Sequence, residues 1–167
     1  MTIKRIYWDS CIFIYLMSKH KEQWKIERQT TCKNCLQEAI DGKSEIYIST
    51  VSIVEFNRTT DTTFPIPDEI KEKITTLINQ PFIKIVSADI ARAFEARNHI
   101  WKWPWLSAID AIHLASALYA NVDELFTYDG NGSQKGLLDL DGLIGNPPLK
   151  IKHPHIEGFQ PQMPISI

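Results

Sequence analysis

Four acidic residues, spread over most of the chain, lie in or directly after apolar segments. Asp9 follows "IKRIYW", Glu55 lies in "STVSIVEF", Asp110 in "SAIDAIHL" and Asp129 in "LFTYDG". Carboxylates that cluster among apolar neighbours repel one another and resist ionising together unless a cation compensates them. Hard oxygen ligands of this kind suit Mg²⁺ or Mn²⁺ rather than zinc. If the four acids converge, they predict a divalent-cation site.

Each acid also has an ordinary structural explanation. Asp9-Ser10 has the residue types that cap a helix. Ser52–Glu55 and Ser107–Asp110 both have the spacing of a capping box, in which the acid helps to satisfy free amide groups. Asp129-Gly130 is a common turn dipeptide. The occurrence of all four acids in comparable settings is harder to explain by separate caps and turns, and it favours a common site.

Alternating β-rich and helix-like segments must bring these acids together. The strand candidates are residues 3–8, 45–49, 82–86, 124–128 and 149–152, and the helix candidates are 11–17, 23–40, 51–58, 68–78, 88–99 and 107–119. Such alternation predicts a parallel sheet with helices on both faces. Ligands of these sheets bind at the carboxyl ends of the strands, where the crossover helices begin. We therefore expect the four acids at one edge of the sheet.

The overall composition narrows the class of protein. With 167 residues and 44% hydrophobic residues, the chain fits one domain with a proper core. A formal net charge of −2 excludes a strongly basic nucleic-acid wrapper but allows a local basic patch. No apolar run has the length of a membrane span, and the odd number of cysteines, three, indicates reduced thiols. We expect a cytoplasmic protein without membrane attachment.

The four acidic motifs, in this order and spacing, resemble those of the PIN domain family, and most closely the VapC-like toxin ribonucleases of type II toxin–antitoxin systems. The resemblance covers roughly residues 3–130. It implies a three-layer α/β/α fold with a central parallel sheet of about five strands in the order 3-2-1-4-5. It also implies that one or two Mg²⁺ or Mn²⁺ ions are bound, and that the catalytic and metal-binding residues are Asp9, Glu55, Asp110 and Asp129.

The activity implied by this resemblance is metal-dependent hydrolysis of RNA phosphodiester bonds. The implied partners are an RNA substrate, a small antitoxin protein and a second copy of the chain in a homodimer. Ser10 and Thr127 fall where such proteins often place a hydroxyl beside the metal site, and we expect them to orient carboxylates or water. Weaker candidates for RNA contacts are Arg58, His113 and Lys102. We expect residues 1–150 to form the nuclease domain and residues 151–167 a C-terminal extension or tail.

Two segments depart from the family pattern. The first is "WKWPW" at Trp101–Trp105, an aromatic insertion ahead of the third acid, and the second is "DGNGSQKG", which starts at Asp129. The tryptophans could stack on unpaired bases, or they could form a packing cluster or a dimer surface. The altered loop keeps an alternative function open, in which the chain is a degenerate PIN-like module that binds RNA or protein without catalysis.

Overall fold

A five-stranded parallel sheet forms the centre of the structure, a computed structural model that describes residues 2–57 and 66–157. The strands are β1 (Lys4–Trp8), β2 (Ser44–Ser49), β3 (Ile83–Val86), β4 (Glu124–Phe126) and β5 (Lys150–Lys152). Their order in the sheet is β3-β2-β1-β4-β5, and every neighbouring pair is parallel. The predicted three-layer fold with strand order 3-2-1-4-5 is therefore confirmed.

Helices connect the strands and cover both faces of the sheet. In the described part of the chain they are α1 (Ser10–Met17), α2 (Gln23–Ile40), α3 (Thr50–Glu55), α4 (Asp68–Ile78), α5 (Ile90–Lys102) and α6 (Ala108–Ala120). A short 3₁₀ helix at Leu137–Leu140, which the sequence pattern did not predict, lies between β4 and β5. None of the described helices is both long enough and apolar enough to cross a membrane.

The side chains of β1 alternate between two separate hydrophobic cores. Ile6 and Trp8 belong to a core that they share with residues of α1 and α2, whereas Tyr7 belongs to a core that it shares with residues of α5 and α6. All three side chains are buried. Burial on both faces is typical of the central strand of a parallel sheet. It fixes the position of β1, and so places Asp9 directly at the carboxyl edge of the sheet.

The last strand straddles the predicted boundary at residue 150. In the register of β5 against β4, Ile151 pairs with Leu125. Beyond β5, the His155 ring lies 5.1 Å from that of Phe126. Residues 151 and 152 therefore belong to the sheet, and His155 packs against it. Residues 158–167 lie outside the described residues, and their assignment to a tail stays a prediction.

Phe126 provides a test of the core beneath the carboxyl edge. Its side chain is 0% exposed, so Phe126→Ala should lower the free energy of unfolding by about 3–5 kcal/mol through lost contacts and a residual cavity. Phe94→Ala is the matched control, because Phe94 is 54% exposed on α5, and it should cost less than about 0.5 kcal/mol. Chemical denaturation measures both losses, and equal losses would contradict the core described here.

Candidate active site

Asp9 joins β1 to α1, and its side chain is buried. Its backbone N–H donates to the carbonyl of Phe126 at 3.0 Å, which extends the pairing of β1 with β4. Thr127 Oγ1 donates to Asp9 Oδ2 at 2.7 Å, and Ser10 Oγ donates to Oδ1 at 3.3 Å. Asp9 occupies the N-cap position of α1, but its carboxylate accepts no helix amide. Helix capping therefore does not explain the position of this carboxylate.

Asp110 lies in the first turn of α6, next to the N-cap residue Ser107. The Ser107 hydroxyl accepts from the Asp110 backbone N–H at 3.1 Å and donates to Asp110 Oδ2. The predicted serine cap is therefore observed, but the carboxylate bonds to the serine hydroxyl and not to a free amide as in a capping box. Burial raises the pKa of Asp110, the hydrogen bond from Ser107 opposes this, and the charges of Asp129 and Asp9 raise it further. Asp110 is thus part of a helix cap and also lies in the electrostatic field of two other acids.

Asp129 follows β4 after a short irregular step. Its backbone N–H donates to Thr127 Oγ1 at 2.9 Å, and its Oδ2 accepts from the backbone N–H of Leu137 at 3.1 Å. Burial raises the pKa of Asp129, the Leu137 amide opposes this, and the charges of Asp9 and Asp139 raise it further. Thr127 therefore links two acids directly, with one hydrogen bond to each.

Glu55, the last residue of α3, is connected to Asp9 through His113. The Nε2 atom of His113 lies 2.7 Å from Glu55 Oε2 and 3.6 Å from Asp9 Oδ1, and its Nδ1 atom lies 2.8 Å from the Tyr7 hydroxyl. Burial alone would lower the pKa of His113, but the hydrogen bond with Glu55 and the charges of Asp9 and Asp110 raise it. The neighbouring carboxylates thus stabilise the charged form of the imidazole against the effect of burial.

The start of α3 differs from the predicted one. Its N-cap is Ser49, whose hydroxyl accepts from the backbone N–H of Val51 at 3.3 Å. Ser52 lies inside the helix and is buried, so the capping box predicted for Ser52–Glu55 is wrong. The carboxylate of Glu55 is free of that role and bonds to His113 instead. Tyr7 bonds to the other side of His113. The sequence did not indicate this role, because Tyr7 is one of several apolar residues in the first strand.

The three weaker candidates for RNA contacts have different outcomes. His113 is fully buried and both its ring nitrogens face protein groups, so it has no exposed surface with which to contact RNA. Lys102 is exposed at the end of α5, with its Nζ atom 4.4 Å from the centroid of the Trp103 ring, and its contact with RNA stays a prediction. Arg58 lies outside the described residues.

The chemistry of the acids fits a hard divalent cation. Asp9, Asp110 and Asp129 offer carboxylate oxygens, which Mg²⁺ and Mn²⁺ prefer as ligands. The raised pKa values of Asp110 and Asp129 indicate negative charge that their protein neighbours do not fully compensate. Among residues 2–57 and 66–157, however, no group of three or more His, Cys, Asp or Glu side chains is arranged to hold a metal ion. The residue types therefore suit a divalent cation, but the side chains do not form a coordination shell in advance.

Comparison with known proteins agrees with this architecture. Residues 6–136, more than half of the chain, match the family model described as PIN domain. The chain belongs to the PIN domain family. This membership confirms the family predicted from the four acidic motifs. No curated protein matches this PIN domain.

Two solved structures of the VapBC type share the fold of this PIN domain. A chain of VapBC2 from Rickettsia felis, solved with a DNA fragment from the promoter, has a TM-score of 0.54 at 15% identity, covering 75% of this chain and 88% of that chain. VapC20 from Mycobacterium tuberculosis, described as a toxin that cleaves the sarcin–ricin loop, has a TM-score of 0.55 at 12% identity, covering 75% and 91%. At these identities the likeness shows a common fold.

Asp110 and Asp139 should affect stability in opposite directions. The raised pKa of Asp110 means that its ionised form destabilises the fold, and that this effect grows as the pH rises through the pKa. The amides of Gly136 and Asn131 lower the pKa of Asp139, so its ionised form stabilises the fold, and this stabilisation is lost as the pH falls through the lowered pKa. In chelator at neutral pH, Asp110→Asn should therefore raise the Tm and Asp139→Asn should lower it.

Thermal denaturation of these two variants and of the unsubstituted protein across a pH series measures these changes in Tm. The difference in Tm between each variant and the unsubstituted protein should shrink in acid, where the two carboxyl groups are protonated. A Tm lowered by Asp110→Asn at neutral pH would show that this charge is already compensated within the protein.

The charge of His113 should depend on Glu55. Glu55→Gln removes the anionic partner, so burial should then prevail and the pKa of His113 should fall. Glu95→Gln is the matched control, because Glu95 Oε1 lies 4.0 Å from the other helix histidine, His99, on α5. An NMR titration of the imidazole nitrogens measures both histidines. A His113 pKa that is unchanged in Glu55→Gln would contradict the assigned contact.

Proposed function

We propose that this PIN domain is a metal-dependent endoribonuclease that hydrolyses RNA phosphodiester bonds with Mg²⁺ or Mn²⁺. The observation that carries the proposal is the convergence of three aspartates from distant parts of a PIN-family chain, in which burial and, to a smaller extent, the charge of Asp9 raise the pKa of both Asp110 and Asp129. Such an arrangement is unfavourable unless a cation compensates it. A bound divalent cation relieves that repulsion.

The aspartates and their hydroxyl partners would form the metal-binding part of the site. One or two ions would be held by Asp9, Asp110 and Asp129, whereas Glu55, which the resemblance implies as a fourth ligand, is bonded to His113. When bound, such ions supply an activated water and offset the charge that develops on the phosphate. Ser10 and Thr127 hold the two oxygens of the Asp9 carboxylate by hydrogen bonds, which fixes the orientation of this ligand.

Glu55 would act on the attacking water rather than on the substrate. Its carboxylate is held by His113, whose Nε2 atom also approaches Asp9, so Glu55 is fixed beside the first aspartate. A carboxylate in this place can orient a water molecule and accept its proton. The hydrogen bond between the Tyr7 hydroxyl and Nδ1, on the opposite side of the imidazole, fixes the ring, so that Nε2 remains directed at Glu55.

The biological role that we propose is that of the toxin in a toxin–antitoxin pair. The VapBC2 and VapC20 structures, whose fold this chain shares, are described as VapBC2 bound to a DNA fragment from the promoter and as a toxin that cleaves the sarcin–ricin loop. By analogy, we propose that a small antitoxin protein binds this chain and that the chain forms a homodimer in the cytoplasm.

Asp9→Asn should abolish the nuclease activity. The substitution removes a proposed metal ligand, so the Mg²⁺- or Mn²⁺-dependent cleavage of total RNA should fall by more than the ~10–100-fold that is typical of changes outside the ligand shell. Asp68→Asn, on the exposed first turn of α4, is the matched control and should cleave normally. The rate of loss of full-length RNA, with and without chelator, provides the measurement.

The same assay separates the proposed function from its alternative. Cleavage that persists in chelator or in Asp9→Asn would rule out the metal-dependent mechanism. If the unsubstituted protein retards RNA on a gel but does not cut it with either ion, the degenerate binding module is the better description.

A further inference from the structure

The two segments that depart from the PIN pattern meet in the folded chain. Lys135 belongs to the glycine-rich loop, residues 130–136, and its Nζ atom lies 5.6 Å from the centroid of the Trp105 ring in the "WKWPW" segment. Trp105 precedes Ser107, whose hydroxyl bonds to Asp110, and the glycine-rich loop begins directly after Asp129. The contact between Lys135 and Trp105 therefore bridges a segment that precedes the third acid and a loop that follows the fourth.

The base of the glycine-rich loop is closed by two aspartates. Asp139 Oδ2 accepts from the backbone N–H groups of Gly136 at 2.9 Å and of Asn131 at 3.2 Å. A Cβ atom on Gly136 would lie 2.2 Å from Asp129 Oδ2, so the backbone of Gly136 rests directly against that carboxylate. Only glycine fits this close approach. Lys135, one residue earlier, is thereby held close to Asp129, while its own side chain is exposed.

Trp105 is held in place by the hydrophobic core beneath it. It is half-buried and packs against the core formed by residues of α5 and α6. Trp101, at the other end of the segment, is 68% exposed and lies 4.2 Å from the guanidinium of Arg97. The tryptophans therefore do not form one uniform cluster. Trp105 combines a ring anchored in the core with a partly accessible surface beside a lysine.

We propose that Lys135 and Trp105 form a substrate-binding lip, in which the ammonium contacts a phosphate and the indole stacks on an unpaired base of single-stranded RNA. This inference rests on the proposed function, because it concerns how an acidic site holds a polyanion. A cation fixed at the rim offsets the repulsion between the aspartates and the RNA backbone. Stacking on an aromatic ring adds affinity for unpaired bases of any sequence.

Binding is tested apart from cleavage in the Asp9→Asn background. The probe is a fluorescein-labelled single-stranded RNA oligonucleotide, and its affinity is measured by fluorescence anisotropy over a salt series. Lys135→Met keeps an unbranched side chain beside Trp105 but removes the charge, so the slope of log affinity against log salt should become shallower by about 0.7. Lys135→Arg should restore the slope. Trp105→Leu should weaken binding about tenfold, as expected for one lost base stack.

Lys33→Met is the matched control, because Lys33 is exposed on α2 and its Nζ atom contacts Gln29 of the same helix. It should leave the salt slope unchanged. A Lys135→Met protein with the same slope as the control would overturn the lip, whatever the effect of Trp105→Leu on folding. If the unsubstituted chain cuts RNA while Lys135→Met binds it normally, the substrate-binding lip is wrong and the proposed function stands. If the unsubstituted chain neither binds nor cuts RNA, both proposals are wrong.

Discussion

Burial and mutual repulsion make the negative charges at the carboxyl edge of the sheet unfavourable. Burial raises the pKa of Asp110 and of Asp129, and the charge of Asp9 raises both further. The protein compensates these charges only in part, by giving each carboxylate at least one neutral donor. These donors are the hydroxyls of Thr127 and Ser10 for Asp9, the hydroxyl of Ser107 for Asp110 and the amide of Leu137 for Asp129. These neutral donors leave negative charge uncompensated, and a divalent cation would neutralise it.

The central strand links this edge to the interior of the protein. Tyr7 points into the core shared with α5 and α6 and bonds to His113, and two residues later the same strand ends at Asp9. His113 then joins Glu55 to this framework. A buried polar chain of this kind is favourable only when each member is satisfied, and here each ring nitrogen of the histidine has a partner. The position of Glu55 thus depends on the packing of β1 and α6.

Local patterns in the sequence predict most of the fold, because apolar periodicity and helix signals are short-range. They give the bounds of α2 and α4 as observed, and they place Asp9 at the end of the first strand. They do not show the hydrogen bond between Tyr7 and His113, since it joins positions 106 residues apart. They also misplace the start of α3, because Ser49 and Ser52 are both suitable caps and only the path of the chain out of β2 selects the first.

A crystal structure of the protein grown with Mn²⁺ would show whether these carboxylates bind a divalent cation, because the anomalous signal locates the ion independently of any activity. We expect a peak within coordination distance of Asp9 and at least one of Asp110 and Asp129, with the hydrogen bond from Thr127 to Asp9 retained. An ion bound elsewhere, or no peak among these carboxylates at saturating Mn²⁺, would contradict it.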